Sequence, residues 1–236
     1  MSAAEVLPET GQPIGAKVDA KPAPRPGPVT LRGRLATVER LDAARHGKAL
    51  WDAFRGRDAL WTYSSNGPFA DEAAFQAWLK ERVELKDPYY FAVVSPDGRA
   101  LGVTTYMEIR PKTRVIEVGH IVYGPDLQQK PAATEAQYLF ARHAIEDLGY
   151  RRYEWKCHAL NAASRSAALR LGFEFEGIFR QHMIVKGRTR DTAWFSIVDS
   201  EWPRVRKAFE AWLAPDNFDS EGRQKRRLED VRNAIQ

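Results

Sequence analysis

The sequence predicts a mixed α/β fold, a central sheet of about seven strands flanked by helices. Three observations predict it. Residues 90–94, 101–109 and 115–123 are apolar runs separated by turn signals, so they read as an antiparallel meander. A helical pattern lies between 115–123 and the alternating stretch 153–158, and a helix between two strands implies a parallel crossover. Two further strand-like runs, 173–185 and 191–198, are joined through 186–190 as a terminal hairpin.

Taken in order, residues 1–28 carry Pro8, Pro13, Pro22, Pro24, Pro26 and Pro28 with few large apolar side chains. Such a segment buries too little surface to offset its chain entropy and is expected to be a disordered lead-in. The folded domain is expected over 29–200. Residues 29–35 are strand-like, and Asp42 caps a helix whose Ala49, Leu50, Ala53 and Phe54 follow helical spacing. After a turn at 64–68, Asp71 starts a second amphipathic helix with Ala74, Phe75, Trp78, Leu79 and Arg82 in register. Ala136, Phe140, Ala144 and Leu148 form the inner stripe of the third helix, which Gly149 ends. Tyr153, Trp155 and Cys157 share one face of the next strand, and Asn161 and Gly172 cap and stop a fourth helix. Pro203 fits the first turn of a closing helix over 201–214. Residues 215–236 are charged and are expected to fray or to form a solvent-facing helix.

Composition narrows the function. A 44% hydrophobic content over 236 residues suits one domain with tails. No run of about 18 apolar residues occurs, and the N-terminus lacks a basic start or an apolar signal core, so a cytoplasmic protein with no membrane partner is expected. Cys157 stands alone, which excludes an internal disulfide and a cysteine-built metal cluster, and no metal is expected. The net charge of +5 is partly concentrated in 223–227, without interleaved aromatics. That pattern reads as a solvated tail rather than a nucleic-acid surface. Monomer and homodimer both remain open.

Two stretches carry the chemistry. Residues 117–135 run from an apolar strand through a loop into a helix start, where unpaired N–H groups and the positive dipole end form an anion site. Asn161 and Ser164 sit three apart on the first turn of another helix, so both can face one ligand or simply cap it. Within the first stretch, Glu117 interrupts an apolar strand and shares its face with Gly119 and Ile121, while His120 takes the opposite parity as a packed strand histidine. A carboxylate placed so either meets a buried cation or faces a cleft, and burial would raise its pKa towards the range of a general base.

The element order, together with residues 117–125, Ala132 to Ala136, and Asn161-x-x-Ser164-Arg-x-Ala-x-x-x-Leu-Gly-Phe-x-x-Glu-Gly177, resembles the GCN5-related N-acetyltransferase (GNAT) superfamily. The branch it most resembles is that of the RimJ/RimL-type ribosomal-protein N-terminal acetyltransferases. The resemblance implies a sheet splayed between its fourth and fifth strands, with acetyl-CoA as co-substrate and an amine acceptor. It implies direct transfer in a ternary complex to a small-molecule amine or a protein N-terminus. The family's phosphate loop, Gln/Arg-x-x-Gly-x-Gly/Ala, falls on Gln128, Pro131 and Ala133, with Gln129, Lys130, Ala132 and Thr134 as further cofactor contacts. Pro131 departs from the glycine and removes one N–H. Asn161, Ser164 and Arg165 would lie beside the pantetheine arm, and Ser164 would protonate the leaving thiolate. The backbone of Ile121, Val122 and Tyr123 would supply the oxyanion donor and pair with the pantetheine amides.

The general base is Glu117 or His182, since Met183 stands where the RimL-like branch carries an acidic residue. Trp61, Tyr63, Ser64, Asn66 and Arg180 would wall the acceptor groove, with core packing the alternative for Trp61. A covalent route through Cys157 conflicts with its core-like parity. The competing reading is a GNAT-fold module that binds CoA or a peptide without turnover.

Overall fold

The structure is a computed structural model that describes residues 4–235. Strands β1 (Ala4–Val6) and β2 (Pro13–Gly15) pair as a separate hairpin. The main sheet comprises β3 (Thr30–Arg32), β4 (Thr37–Arg40), β5 (Tyr89–Val94), β6 (Ala100–Arg110), β7 (Val115–Tyr123), β8 (Arg152–His158), β9 (Glu174–Val185) and β10 (Arg188–Val198). Their order is β3-β4-β5-β6-β7-β8-β10-β9, with β7 and β8 parallel and the other neighbours antiparallel. The eighth strand arises because the run expected as one strand turns back after Gly33, whose N–H donates to Ala36 O (2.9 Å).

Helices α1 (Ala43–Phe54) and α2 (Glu72–Glu84) cover one face of β4–β7. On the other face lie α3 (Pro131–Arg142), which runs into a π-helical turn, α4 (Ala162–Leu171), α5 (Trp202–Leu213) and α6 (Leu228–Asn233). Each face has its own apolar core, one centred on Phe91, Tyr106 and Phe140, the other on Phe54, Trp61, Phe75 and Trp78. The expected caps form: Asp42 accepts from Arg45 N (2.9 Å), Asp71 from Ala74 N (2.8 Å) and Asn161 from Ser164 N (3.0 Å).

Two departures from regular pairing shape the sheet's centre. The β7–β8 ladder stops at Val118 opposite Trp155, so residues 119–123 leave β8 and the strands splay. On its other side, β7 sets His120 and Ile121 against Thr104 of β6 in a bulge, with His120 at φ 46°. The extra residue reverses side-chain parity beyond Gly119.

A single carboxylate ties α3 to the sheet edge. Glu135 accepts from the backbone N–H groups of Arg34 (3.0 Å), Leu35 (2.6 Å) and Ala36 (2.8 Å) in the β3–β4 turn. It comes so close that a Cβ on Gly33 would lie 2.3 Å from its carboxylate. Only glycine leaves that space.

The lead-in and the tail both pack more than composition suggests. Residues 1–3 lie outside the described residues, but Ala23 is buried, its N–H donates to Pro111 O (3.1 Å), and Tyr150 Oη donates to Pro24 O (3.1 Å). Closely spaced prolines pre-extend the chain, which lowers the entropy lost on docking. In the tail, Leu228 and Val231 are buried in the core, and Arg232 donates to Arg170 O (2.7 Å) and Leu169 O (3.0 Å) at the end of α4. Truncation after Ala214 is therefore expected to lower stability by about 3 kcal/mol or more, the burial of two aliphatic side chains. An unchanged urea midpoint would show the segment to be an ornament.

Candidate active site

Where β7 and β8 part, a cleft of about 180 Å³ opens. Residues 117–122 of β7 and 155–158 of β8 line it, with Asn161 and Ser164 of α4, Leu60 and Tyr63 to Ser65 from the loop after α1, Met107, and Arg190.

Glu117 is buried on this cleft wall opposite Met107. It meets both expectations at once, for it lines the cleft and also pairs with a buried cation, Lys156 Nζ, at 2.8 Å. Lys156 is shared with Glu154 (3.0 Å) and lies 4.0 Å over the Trp194 ring. Burial favours a neutral Glu154, but the Arg152 hydrogen bond (2.7 Å), Lys156 and Arg110 outweigh it and hold its pKa below the ordinary value. Glu117 has the one cation to share, and there burial prevails over Lys156, pushing the carboxyl up to about 7.

The bulge carries His120 onto Glu117's side, where its ring lies beside Tyr90 (5.8 Å) and Asn66, while Ile121 turns to the opposite core. This reverses the parity expected for both. Trp78 Nε1 is a donor only and bonds Asn66 Oδ1 (3.1 Å), which leaves Asn66 Nδ2 to face His120 Nδ1 (3.4 Å). That assignment puts the proton of a neutral His120 on Nε2. Burial first, then Arg82 and Arg190, lower the His120 pKa to about 4, so the ring stays neutral at pH 7.

Across the splay, Ser164 Oγ accepts from Trp155 Nε1 (3.0 Å), which leaves its own O–H to donate, with the Cys157 sulfur beside it. Burial raises the pKa of the neighbouring Cys157 thiol, which keeps it protonated and a poor nucleophile. Tyr63 closes the outer wall, its hydroxyl donating to Leu160 O (3.2 Å) and its ring against His158.

The model for the acetyltransferase (GNAT) domain family matches residues 36–174. A solved structure of a GCN5-related N-acetyltransferase from Brucella melitensis is 47% identical and superposes with a TM-score of 0.89, covering 91% of this chain and 99% of that one. The chain belongs to the GNAT acetyltransferase family. A GNAT-family protein from Chromobacterium violaceum is 41% identical with a TM-score of 0.75, over 81% of this chain and 99% of that one. A ribosomal-protein alanine acetyltransferase from Vibrio fischeri, 20% identical with a TM-score of 0.60 over 74% and 98%, shares the fold. No curated protein matches at a significant level.

GNAT domains use acetyl-CoA as co-substrate, and the residues here fit it. At the start of α3 the amides of Gln129 and Ala132 have no acceptor among the described residues, and Pro131 contributes none. Gln129, at φ 58°, turns the loop into the first turn of α3. Gln128 is exposed, but its Nε2 donates to Tyr123 O (2.8 Å) and braces the splayed strand. Thr134 Oγ1 is occupied by both terminal nitrogens of Arg170 (3.1 and 3.0 Å). Arg165 reaches Ala159 O (3.3 Å) and the Phe175 ring rather than the cleft.

Several expected GNAT wall residues lie elsewhere. Trp61 is core, packed edge-on against Phe54, Phe69 and Trp78. Arg180 and His182 lie in a second bulge, where Gln181 N donates to Asp191 Oδ1 (2.6 Å) and His182 bonds Thr192 Oγ1 (3.0 Å). They form a separate, exposed depression with Phe179, outside the cleft, so His182 is not brought together with Glu117 and Ser164. The sequence pattern places Arg190 in the connection over 186–190. Lys186 and Gly187, both at positive φ, instead make a two-residue turn, and residues 188–190 extend strand β10 into the cleft wall.

Proposed function

We propose that this chain is an acetyl-CoA-dependent N-acetyltransferase that transfers the acetyl group directly to a primary amine in a ternary complex. The observation that carries the reading is the meeting of Glu117, Ser164 and the unpaired β7 backbone in one cleft. Bound acetyl-CoA supplies the acetyl group as a thioester, whose C–S bond breaks as the N–C bond to the amine forms. Gln129 and Ala132 amides, with Lys130, would hold its phosphates. The open edge of 119–123 and Asn161 would align the pantetheine, with the Ile121 to Tyr123 backbone as oxyanion donor. Glu117 would take the ammonium's first proton on a carboxylate oxygen, and Ser164 Oγ–H would give a proton to the departing sulfur and regain one from the nitrogen as it becomes the amide. His120, neutral with its proton on Nε2, donates a hydrogen bond into the acceptor side.

A second reading, a CoA-binding module without turnover, draws on Pro131 and on Lys156 already seated against Glu117. Thiol release from acetyl-CoA against a panel of amines and N-terminal peptides separates the two. Binding of CoA with no release above the uncatalysed rate would sink the enzyme reading. Ser164→Ala is expected to cut turnover at least about tenfold while leaving CoA affinity within about threefold, the scale of lost general acid catalysis. An unchanged rate would remove Ser164 from the mechanism. The Vibrio fischeri relative's ribosomal-protein acceptor is one candidate class, and a cytoplasmic setting suits either class.

A further inference from the structure

We propose that the acceptor is an amino-acid-like molecule, a primary amine carrying a carboxylate, and that Arg190 is the residue that selects it. This rests on the transferase reading and adds the substrate class. Arg190 lies on the cleft wall with its guanidinium partly buried. Its Nε is engaged, donating to Thr192 Oγ1 (3.2 Å), and its two terminal nitrogens have no acceptor among the described residues. No carboxylate comes within 4.0 Å of it among the described residues, in contrast to Arg110, Arg152 and Lys156 on the same side of the sheet. A guanidinium taken partly out of water without a counter-ion is unfavourable unless something anionic completes it.

The surroundings say what completes it. Burial lowers the Arg190 pKa against the pull of Glu117 and Cys157, and Arg190 in turn helps to hold His120 neutral, so its charge acts among the residues that line the cleft. Lys156 is the cation in contact with Glu117, and His120 is neutral, which leaves beside the proposed base a positive charge that no carboxylate contacts among the described residues. One charge with one free, planar edge of two terminal nitrogens matches a planar monoanion, a carboxylate, better than a phosphate dianion. The arm is held in place, because Lys186 Nζ at the hairpin tip donates to Trp61 O and Asn66 O (both 3.1 Å). That contact docks the β9–β10 hairpin on the loop carrying Tyr63 and Ser64, and the strand presents Arg190 across from them.

The test separates this inference from the reading beneath it. The full chain is titrated calorimetrically with the set of N-acetyl-amino acids and with their carboxamides, which are product-like and need no turnover. At least one acid is expected to bind tenfold or more tightly than its amide, with the preference falling below about threefold in Arg190→Gln and recovering in part in Arg190→Lys. Circular dichroism melts confirm that both variants fold. No acid preferred over its amide, or a preference that survives Arg190→Gln, would overturn the proposal. Free amino acids are then supplied with acetyl-CoA and thiol release is followed. Acid-selective binding without release would refute the transferase and keep the carboxylate site, whereas release with neutral amines and no acid selectivity would do the reverse.

Discussion

Replacing Glu117 with glutamine is expected to lower turnover at least about a hundredfold at pH 8, the usual contribution of a positioned base. It should also erase the rise in rate through about pH 7, where burial has moved this carboxyl. The sign follows from the role, for a base works ionised, so the parent's rate climbs as Glu117 loses its proton and levels off above it. An α-amino acceptor ionises near pH 8, so its own limb lies higher and stays in the variant. Stability moves oppositely. A carboxyl whose folded pKa is raised contributes stability that is fully present below its unfolded value of 4.5 and is lost as pH rises through about 7. That is worth about 3 kcal/mol at most, and Glu117→Gln should flatten the dependence. Superimposable pH–rate profiles for parent and variant would take the base role away from Glu117.

Glu135→Ala is expected to be the most destabilising single truncation in α3, by about 3–5 kcal/mol. The change removes three charge-assisted bonds and leaves the amides of Arg34, Leu35 and Ala36 without their acceptor. Glu135→Gln keeps one carbonyl oxygen and should lose less. Because Glu135 lies one turn beyond the Gln129 and Ala132 amides, the alanine variant should also bind CoA more weakly. A urea midpoint corresponding to a loss under about 1 kcal/mol would mean that water replaces the carboxylate there.

Most of the fold was legible because its signals are local. Asp42, Asp71 and Asn161 cap helices within their own first turns, and the apolar periods of 90–94, 101–109 and 115–123 need no partner to be recognised. Glu117 and Ser164 were legible for the same reason, one as a charge inside an apolar strand, the other as a polar group at a helix start. The lead-in and tail were harder, since Ala23 and Leu228 are buried by distant elements that their own neighbourhoods do not announce. Glu135 carried no mark either, for its three donors lie about a hundred positions away.

The sequence by itself determined the mixed sheet, the helix order, the strand-loop-helix over 117–135 and the pair of residues at the splay. Only the tertiary structure decided which polar groups share the cleft. One bulge at His120 turned that ring towards Glu117 and sent Ile121 away, and another at Gln181 took Arg180 and His182 out of reach. A two-residue turn moved Arg190 from loop to strand and so into the wall. The bulge at His120 slips the register by one residue and so exchanges the two faces of the strand, the bulge at Gln181 slips it by two, and the turn takes only Lys186 and Gly187 at positive φ; none of these is large enough to alter an apolar pattern.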